Sequence, residues 1–320
     1  VSNDVGQYMP DGYIQQEADG AAAPLDAENA VASVGSTYYN TLAEAVEAAA
    51  DDETVVLLED TSADSVIEID KNLTLDLNGH VIVNNVTQER LFHITEAVNF
   101  TVNGTADGSG MEIPDDNTGS SGFSKNCAPA TVTLNGGAYT GDTDNGALIY
   151  AVQMPAPEDE ADGDPLSGAN GCTINLNDVT ATTNKWVLNT DTFNTMTLNV
   201  NRGTHTSTAP YWENSSGNAT GYDVFGLDCI QIESAEFNFT DVAITTNGCT
   251  CVENAGGTAT YTNCTFVVLE PTDAEEGLDP SYLSTAVAVS WEGVANIVSG
   301  TYTSYKYGAY VYNSGGTINI

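Results

Sequence analysis

An acidic loop bounded by prolines, PAPEDEADGDP (155–165), carries carboxylates at Glu158, Glu160, Asp162 and Asp164, with Gly163 among them. Oxygen donors spaced around a glycine are how a loop wraps a hard cation, so these four are the candidate calcium ligands. A twelve-residue calcium loop also requires a Glu at its last position, and none stands there. A solvated acidic loop is the plainer reading, and it applies equally to a second loop, EPTDAEEGLDP (270–280). No cofactor other than calcium is implied.

Basic and nucleophilic groups are sparse. The only Lys and Arg residues are Lys71, Lys125, Lys185, Lys306, Arg90 and Arg202. Proton abstraction beside a sugar carboxylate would need one of them, and Arg202, in the turn Asn201-Arg202-Gly203, has no second base near it in sequence. His80 and His93 lie on early strands with no Ser or Cys nucleophile pattern beside them. The formal net charge is −39. Such a surface repels nucleic acid and anionic lipid headgroups, and it meets acidic polysaccharide only through bridging cations. No apolar run is long enough to cross a membrane.

Six cysteines, Cys127, Cys172, Cys229, Cys249, Cys251 and Cys264, are an even set in a secreted-looking composition, which favours disulfides. No C-x-x-C zinc pair occurs, and Cys249-Thr250-Cys251 is too tight for the usual ligand spacing. Eight N-x-[ST] sequons, at Asn72, Asn85, Asn99, Asn103, Asn214, Asn218, Asn238 and Asn263, fit the same extracellular setting.

The elements that must position these groups follow from periodicity. Residues 1–30 carry no apolar pattern and read as an extended arm or linker. Residues 31–70 read as an α/β cap. It holds a short strand VASVGSTYY, a helix over TLAEAVEAAA with Leu42, Ala45, Val46 and Ala49 on one face, and a buried strand ETVVLLED. Thr41 and Glu44 have capping-box spacing. Over 71–320 the chain repeats the unit apolar-x-apolar followed by a polar pair or triplet and a residue near Thr, as in TVTLNGGAYT, TINLNDVTAT and TLNVNRGTHT. Marked at the second apolar residue, the units fall at Leu77, Val102, Leu134, Leu176, Val200, Phe239, Tyr261, Ile297 and Ile320. The short intervals are 22–25 residues, the coil length of a β-solenoid; the longer ones carry inserted loops near 105–130, 141–170, 207–228 and 268–284. Stacked coils bury one continuous core that no single coil could close.

Alternation predicts that the third and fifth residues after each mark face inward. The third are small (Gly137, Val179, Gly203, Val242, Cys264, Gly300) and the fifth are mostly large: Tyr139, Ala181, His205, Ile244, Phe266, Tyr302. His205 is thereby expected as a packed, hydrogen-bonded core histidine. The fourth and sixth positions place outward threonines, with T-x-T pairs at Thr180/Thr182, Thr204/Thr206 and Thr301/Thr303. Cys229 precedes Phe239 by ten residues, as Cys251 precedes Tyr261, so the pair is expected at one place on adjacent coils and bridged. Cys127 and Cys172, which flank the long insertion, are the second expected pair.

The stretch YYNTLAEAVEAAADDETVVLLEDTSADSVIEIDKNLTLDLNGHVI, across residues 37–83, resembles the opening of the pectin-lyase-like superfamily. There, a helix of the form T-[IL]-x-x-A-[IV]-x-A-A caps a parallel β-helix. The resemblance implies an all-β fold, a right-handed parallel β-helix with a short N-terminal helix and strand cap. A closer resemblance is to repeated modules of large bacterial surface proteins, including those of gut Firmicutes, in which a segment like Asp4–Tyr13 ends one module before the next begins. Polygalacturonases carry N-T-D, D-D, H-G and R-x-K motifs on this fold. Here Asn189-Thr190-Asp191 and Leu227-Asp228-Cys229-Ile230 are similar to the first two, while H-G and R-x-K have no counterpart. Asp191 and Asp228, with His205, are therefore the candidate catalytic residues if the chain is an enzyme.

The reading that best joins these features is a non-enzymatic extracellular structural or adhesive solenoid of a bacterial surface protein. Its expected partners are other copies of itself head to tail, adjoining modules of the same chain, or glycans. The alternative is a carbohydrate-active or carbohydrate-binding β-helix of polygalacturonase type.

Overall fold

Hydrophobic alternation every second residue, broken by Asn, Asp and Gly corners, folds the chain into a stack of coils with three strand-bearing faces. A computed structural model describes residues 13–15, 22–24, 26–86, 90–94, 96–114, 121–126, 130–141, 147–152, 172–184, 186–192, 196–208, 212–213, 219–220, 223–229, 235–270, 284–311 and 315–320. Each coil runs through a first face, a tight corner, a second face, a loop and a third face. All strand pairings between coils are parallel among the described residues from Glu53–Leu57 onward, apart from a small antiparallel pair, Trp212–Glu213 with Ala219–Thr220. The protein is a parallel β-solenoid.

The cap forms as its sequence dictates. Ala32–Val34 and Thr37–Tyr39 make an antiparallel hairpin, and Ala32–Val34 also pairs antiparallel with Glu53–Leu57. Between them, helix α1 spans Leu42–Ala48; its N-cap Thr41 accepts from the Glu44 N–H through Oγ1 at 3.1 Å. Leu42, Ala45 and Val46 are buried against the first coil. The helix end is closed from outside the helix: Lys71 Nζ donates to the carbonyls of Val46, Glu47 and Ala49 at 3.4, 3.1 and 3.1 Å. A cation on those three unpaired carbonyls also favours the helix dipole.

The first-face ladder aligns Leu75, Val102, Leu134, Leu176, Val200, Phe239, Tyr261 and Ile297 on successive coils. The first mark is thus Leu75, not Leu77. The corners of the first two coils are longer than the later ones, and the apolar alternation Leu73, Leu75, Leu77 runs two residues past the ladder position. In the coils marked at Leu134, Leu176, Val200, Phe239 and Tyr261, the residue two after the mark is in the left-handed region: Gly136, Asp178, Arg202, Asp241 and Asn263, with φ of 68°, 56°, 57°, 57° and 54°. Gly, Asn and Asp tolerate that conformation, which explains their recurrence two residues after each mark. The turn carries the chain onto the second face, where Tyr139, Ala181, His205, Ile244, Phe266 and Tyr302 form one column as expected. All but Tyr302 are fully buried. The third face supplies a parallel column containing Phe92, Ile149, Leu188, Phe225, Val252 and Val287. Its rings meet those of the other faces: Phe225 lies edge-on to His205 and to Phe239, at 5.1 and 5.2 Å between centroids.

Two asparagine ladders tie coils together on the outer side of the first face. Asn135, Asn177 and Asn201 each donate through Nδ2 to Oδ1 of the Asn one coil earlier, at 2.9–3.0 Å, starting from Asn103. A second series runs from Asn238 to Asn199 to Asn175 to Thr133. In the first ladder Asn103, Asn135, Asn177 and Asn201 each follow a mark by one residue.

The expected Cys229–Cys251 bridge is corrected. Phe225 pairs with Val252, so Cys251 stands level with Val224, while Cys229 lies five residues further along its strand, beside Thr192. Five residues of strand are about 16 Å, far beyond the reach of a disulfide. Cys251 is a free, fully buried thiol. The error came from the corner between third and first faces: Phe225 to Phe239 is 14 residues, and Val252 to Tyr261 only nine. Cys172 is buried at the start of its strand, and Cys127 lies outside the described residues.

Candidate functional site

The third face carries the two candidate acids, Asp191 and Asp228. Trp186–Thr192 and Phe225–Cys229 are neighbouring strands, and their register makes Asp191 and Asp228 direct ladder partners. Adjacent parallel strands stand about 4.8 Å apart, so two candidate acids far apart in sequence occupy consecutive rungs. Asn189 pairs with Gly226 two residues earlier on the same strands. Gly226 is a notch: a Cβ there would meet Asn189 Oδ1 at 3.1 Å and Trp186 Nε1 at 3.4 Å. The next coil sets Glu253 beside Gly226.

Glu253 also takes part in a carboxyl pair that the sequence did not signal. It hydrogen-bonds Asp223, two residues before the Phe225 strand. Burial, and then the charge and hydrogen bond of Glu253, push the Asp223 carboxyl well above the usual carboxylate range. Their separation by a corner and a whole coil is why neither residue stood out in the linear chain.

His205 is not a site residue. It is fully buried, its ring packs on Phe225, and burial lowers its pKa to about 3. Neither ring nitrogen has a hydrogen-bond partner, which corrects the expected hydrogen-bonded histidine. Its column position, between Ala181 and Ile244, surrounds it with apolar groups and offers no acceptor. His80 and His93 are taken up by acidic neighbours, at 3.4 Å from Asp60 and 2.9 Å from Glu68. The calcium candidates Glu158, Glu160, Asp162 and Asp164 lie outside the described residues. Among the described residues, no group of three or more His, Cys, Asp or Glu is placed to hold a metal.

The outer side of the second face carries the threonine rows. Thr140, Thr182, Thr206 and Thr245 stand on consecutive coils, with Glu112 before them. Where this face turns toward the third, a groove of about 350 Å³ crosses four coils and is lined by Glu112, Thr140, Gly141, Thr182, Asn184 and Thr208, with Ile113 and Thr183 at its base.

Together the faces define a parallel β-solenoid with acidic and hydroxyl-bearing outer surfaces. Comparison with family models, with curated proteins and with solved structures found no match for the chain.

Proposed function

We propose that the chain is a non-enzymatic structural or adhesive module of an extracellular bacterial surface protein, stacking end to end with further solenoid coils. One observation carries this reading. Successive coils repeat one cross-section: the first-face ladder from Leu75 to Ile297, the second-face column from Tyr139 to Tyr302 and the outer asparagine ladders all keep register from coil to coil. A stack of this kind is a stiff spacer that presents its outer faces in repeated rows, and a head-to-tail contact between such stacks extends into a filament. Sedimentation of the purified chain across a range of concentrations tests it. Concentration-dependent self-association supports the reading; a monomer at every concentration sinks it.

A second reading, a carbohydrate-active β-helix of polygalacturonase type, is favoured by the rung-to-rung pairing of Asp191 with Asp228. A glycosidase needs two carboxyls that flank the scissile bond. Turnover of polygalacturonate that disappears in Asp191→Asn and in Asp228→Asn would establish it in place of the first.

A further inference from the structure

We propose that the groove at the edge of the second face binds a neutral glycan chain, and that it is the adhesive surface of the module. This rests on the adhesive reading above.

The groove runs across consecutive rungs in which Gly141 is the ladder partner of Ile113 in the coil before and of Thr183 in the coil after. A Cβ on Gly141 would come within 2.5 Å of Ile113 Cβ and 2.9 Å of its carbonyl oxygen, so Ile113 packs against the glycine and closes the floor there. The groove holds about 350 Å³, the lower end of the range for small-ligand sites and room for a disaccharide-sized segment.

Its chemistry selects the ligand. The named lining contains no aromatic ring and no Lys, Arg or His. A flat hydrophobic ligand gains little there, and an anionic sugar finds no counter-charge on a chain of net charge −39. What the groove does offer is hydroxyls at Thr140, Thr182 and Thr208, the amide of Asn184 and the carboxylate of Glu112. A hydroxyl both donates and accepts, as sugar hydroxyls do, and a carboxylate accepts from two neighbouring hydroxyls at once. Thr140 and Thr182 are ladder partners, so equivalent hydroxyls recur every ~4.8 Å along the stack. An extended sugar chain lying along that axis meets the same donors and acceptors at each rung. Stacked modules would repeat the groove, and many weak contacts on one polymer add up to firm adhesion.

The test titrates the whole chain with cellotetraose, mannotetraose and the N-acetylglucosamine tetramer, followed by amide NMR shifts. Tetramers of galacturonate and of glucosamine serve as anionic and cationic controls. At least one neutral tetramer is expected to shift residues of the groove. Its Kd should rise about fivefold or more in the Glu112→Gln, Thr182→Val double variant. Thr301→Val, on the same face but away from the groove, should leave it unchanged. Binding of no neutral tetramer, binding of the glucosamine tetramer alone, or neutral binding insensitive to the double variant each overturns the proposal. The last of these places adhesion elsewhere and leaves the module reading standing; sedimentation of the purified chain tests that reading separately.

Discussion

Arg202 grips Asp178 across one coil with two hydrogen bonds, Nε to Oδ1 and Nη2 to Oδ2, each 2.6 Å long. Both residues sit at left-handed corners, a conformation that Asp tolerates and Arg does not favour. The ion pair depresses the Asp178 pKa and raises that of Arg202, and the nearby Asp241 adds to the latter. Both groups are solvated, so the pair adds little to stability. Arg202→Ala loses the pair and keeps the strained corner, whereas Arg202→Gly loses the pair and relieves the strain. Arg202→Gly is expected to melt higher than Arg202→Ala, with the gap between wild type and either variant shrinking in high salt. The opposite order in calorimetry would show that the ion pair, not the corner, dominates.

Lys71 closes helix α1 by donating to three of its terminal carbonyls. Lys71→Met keeps the aliphatic stem and removes the donors. It is expected to destabilise the protein by about 1–2 kcal/mol. Hydrogen exchange should rise first in Leu42–Ala48; an unchanged exchange pattern there would remove Lys71 as the cap.

Asn177 stands mid-ladder, donating to Asn135 and accepting from Asn201. Its replacement by Ala breaks two bonds and strands an amide on each side, a loss of about 1–3 kcal/mol. Asn238→Ala, at the last asparagine of the second series, breaks only the bond to Asn199 and should cost visibly less. Equal losses in chemical denaturation would mean that the ladders do not act as connected series.

Burial lowers the His205 pKa to about 3, so the folded protein holds this ring neutral where the unfolded chain, at an ordinary 6.5, would protonate it. The unfolded state therefore binds more protons between those values. Stability from this residue is complete above pH 6.5 and is lost as pH falls toward 3, by on the order of 5 kcal/mol in total. His205→Phe removes two unsatisfied nitrogens while keeping an aromatic ring against Phe225. The variant should flatten the acid limb of the stability curve. A limb as steep as the parent's would place the acid sensitivity elsewhere, and the Asp223–Glu253 pair could not supply it, since a raised carboxyl pKa favours folding at low pH.

Cys251 is fully buried with its thiol pKa pushed up by desolvation. It is expected to resist thiol reagents in the native protein and to react once the chain is unfolded. Non-reducing peptide maps should contain no Cys229–Cys251 link; recovery of that link would refute the third-face register.

The sequence by itself determined the coil. Period-two alternation fixes which side chains enter the core, and the corner residues Asp178, Asp241 and Asn263 reveal where the chain bends, because few other residues adopt that conformation without strain. The cap was equally legible, since Thr41, Glu44 and the apolar stripe of α1 act within a few residues of one another. Tertiary structure alone decided what meets across coils of unequal length. Insertions shift the linear distance between neighbours from 24 residues, as between Asn177 and Asn201, to 42, as between Asn135 and Asn177. A spacing rule that held on the first face therefore failed for Cys229 and Cys251, where the corner shortens by five residues. The same coupling of distant segments set Asp191 beside Asp228, joined Asp223 to Glu253 and carried Lys71 back to the end of α1. Those contacts depend on the stacking register, and register is a property of the closed coil rather than of any segment within it.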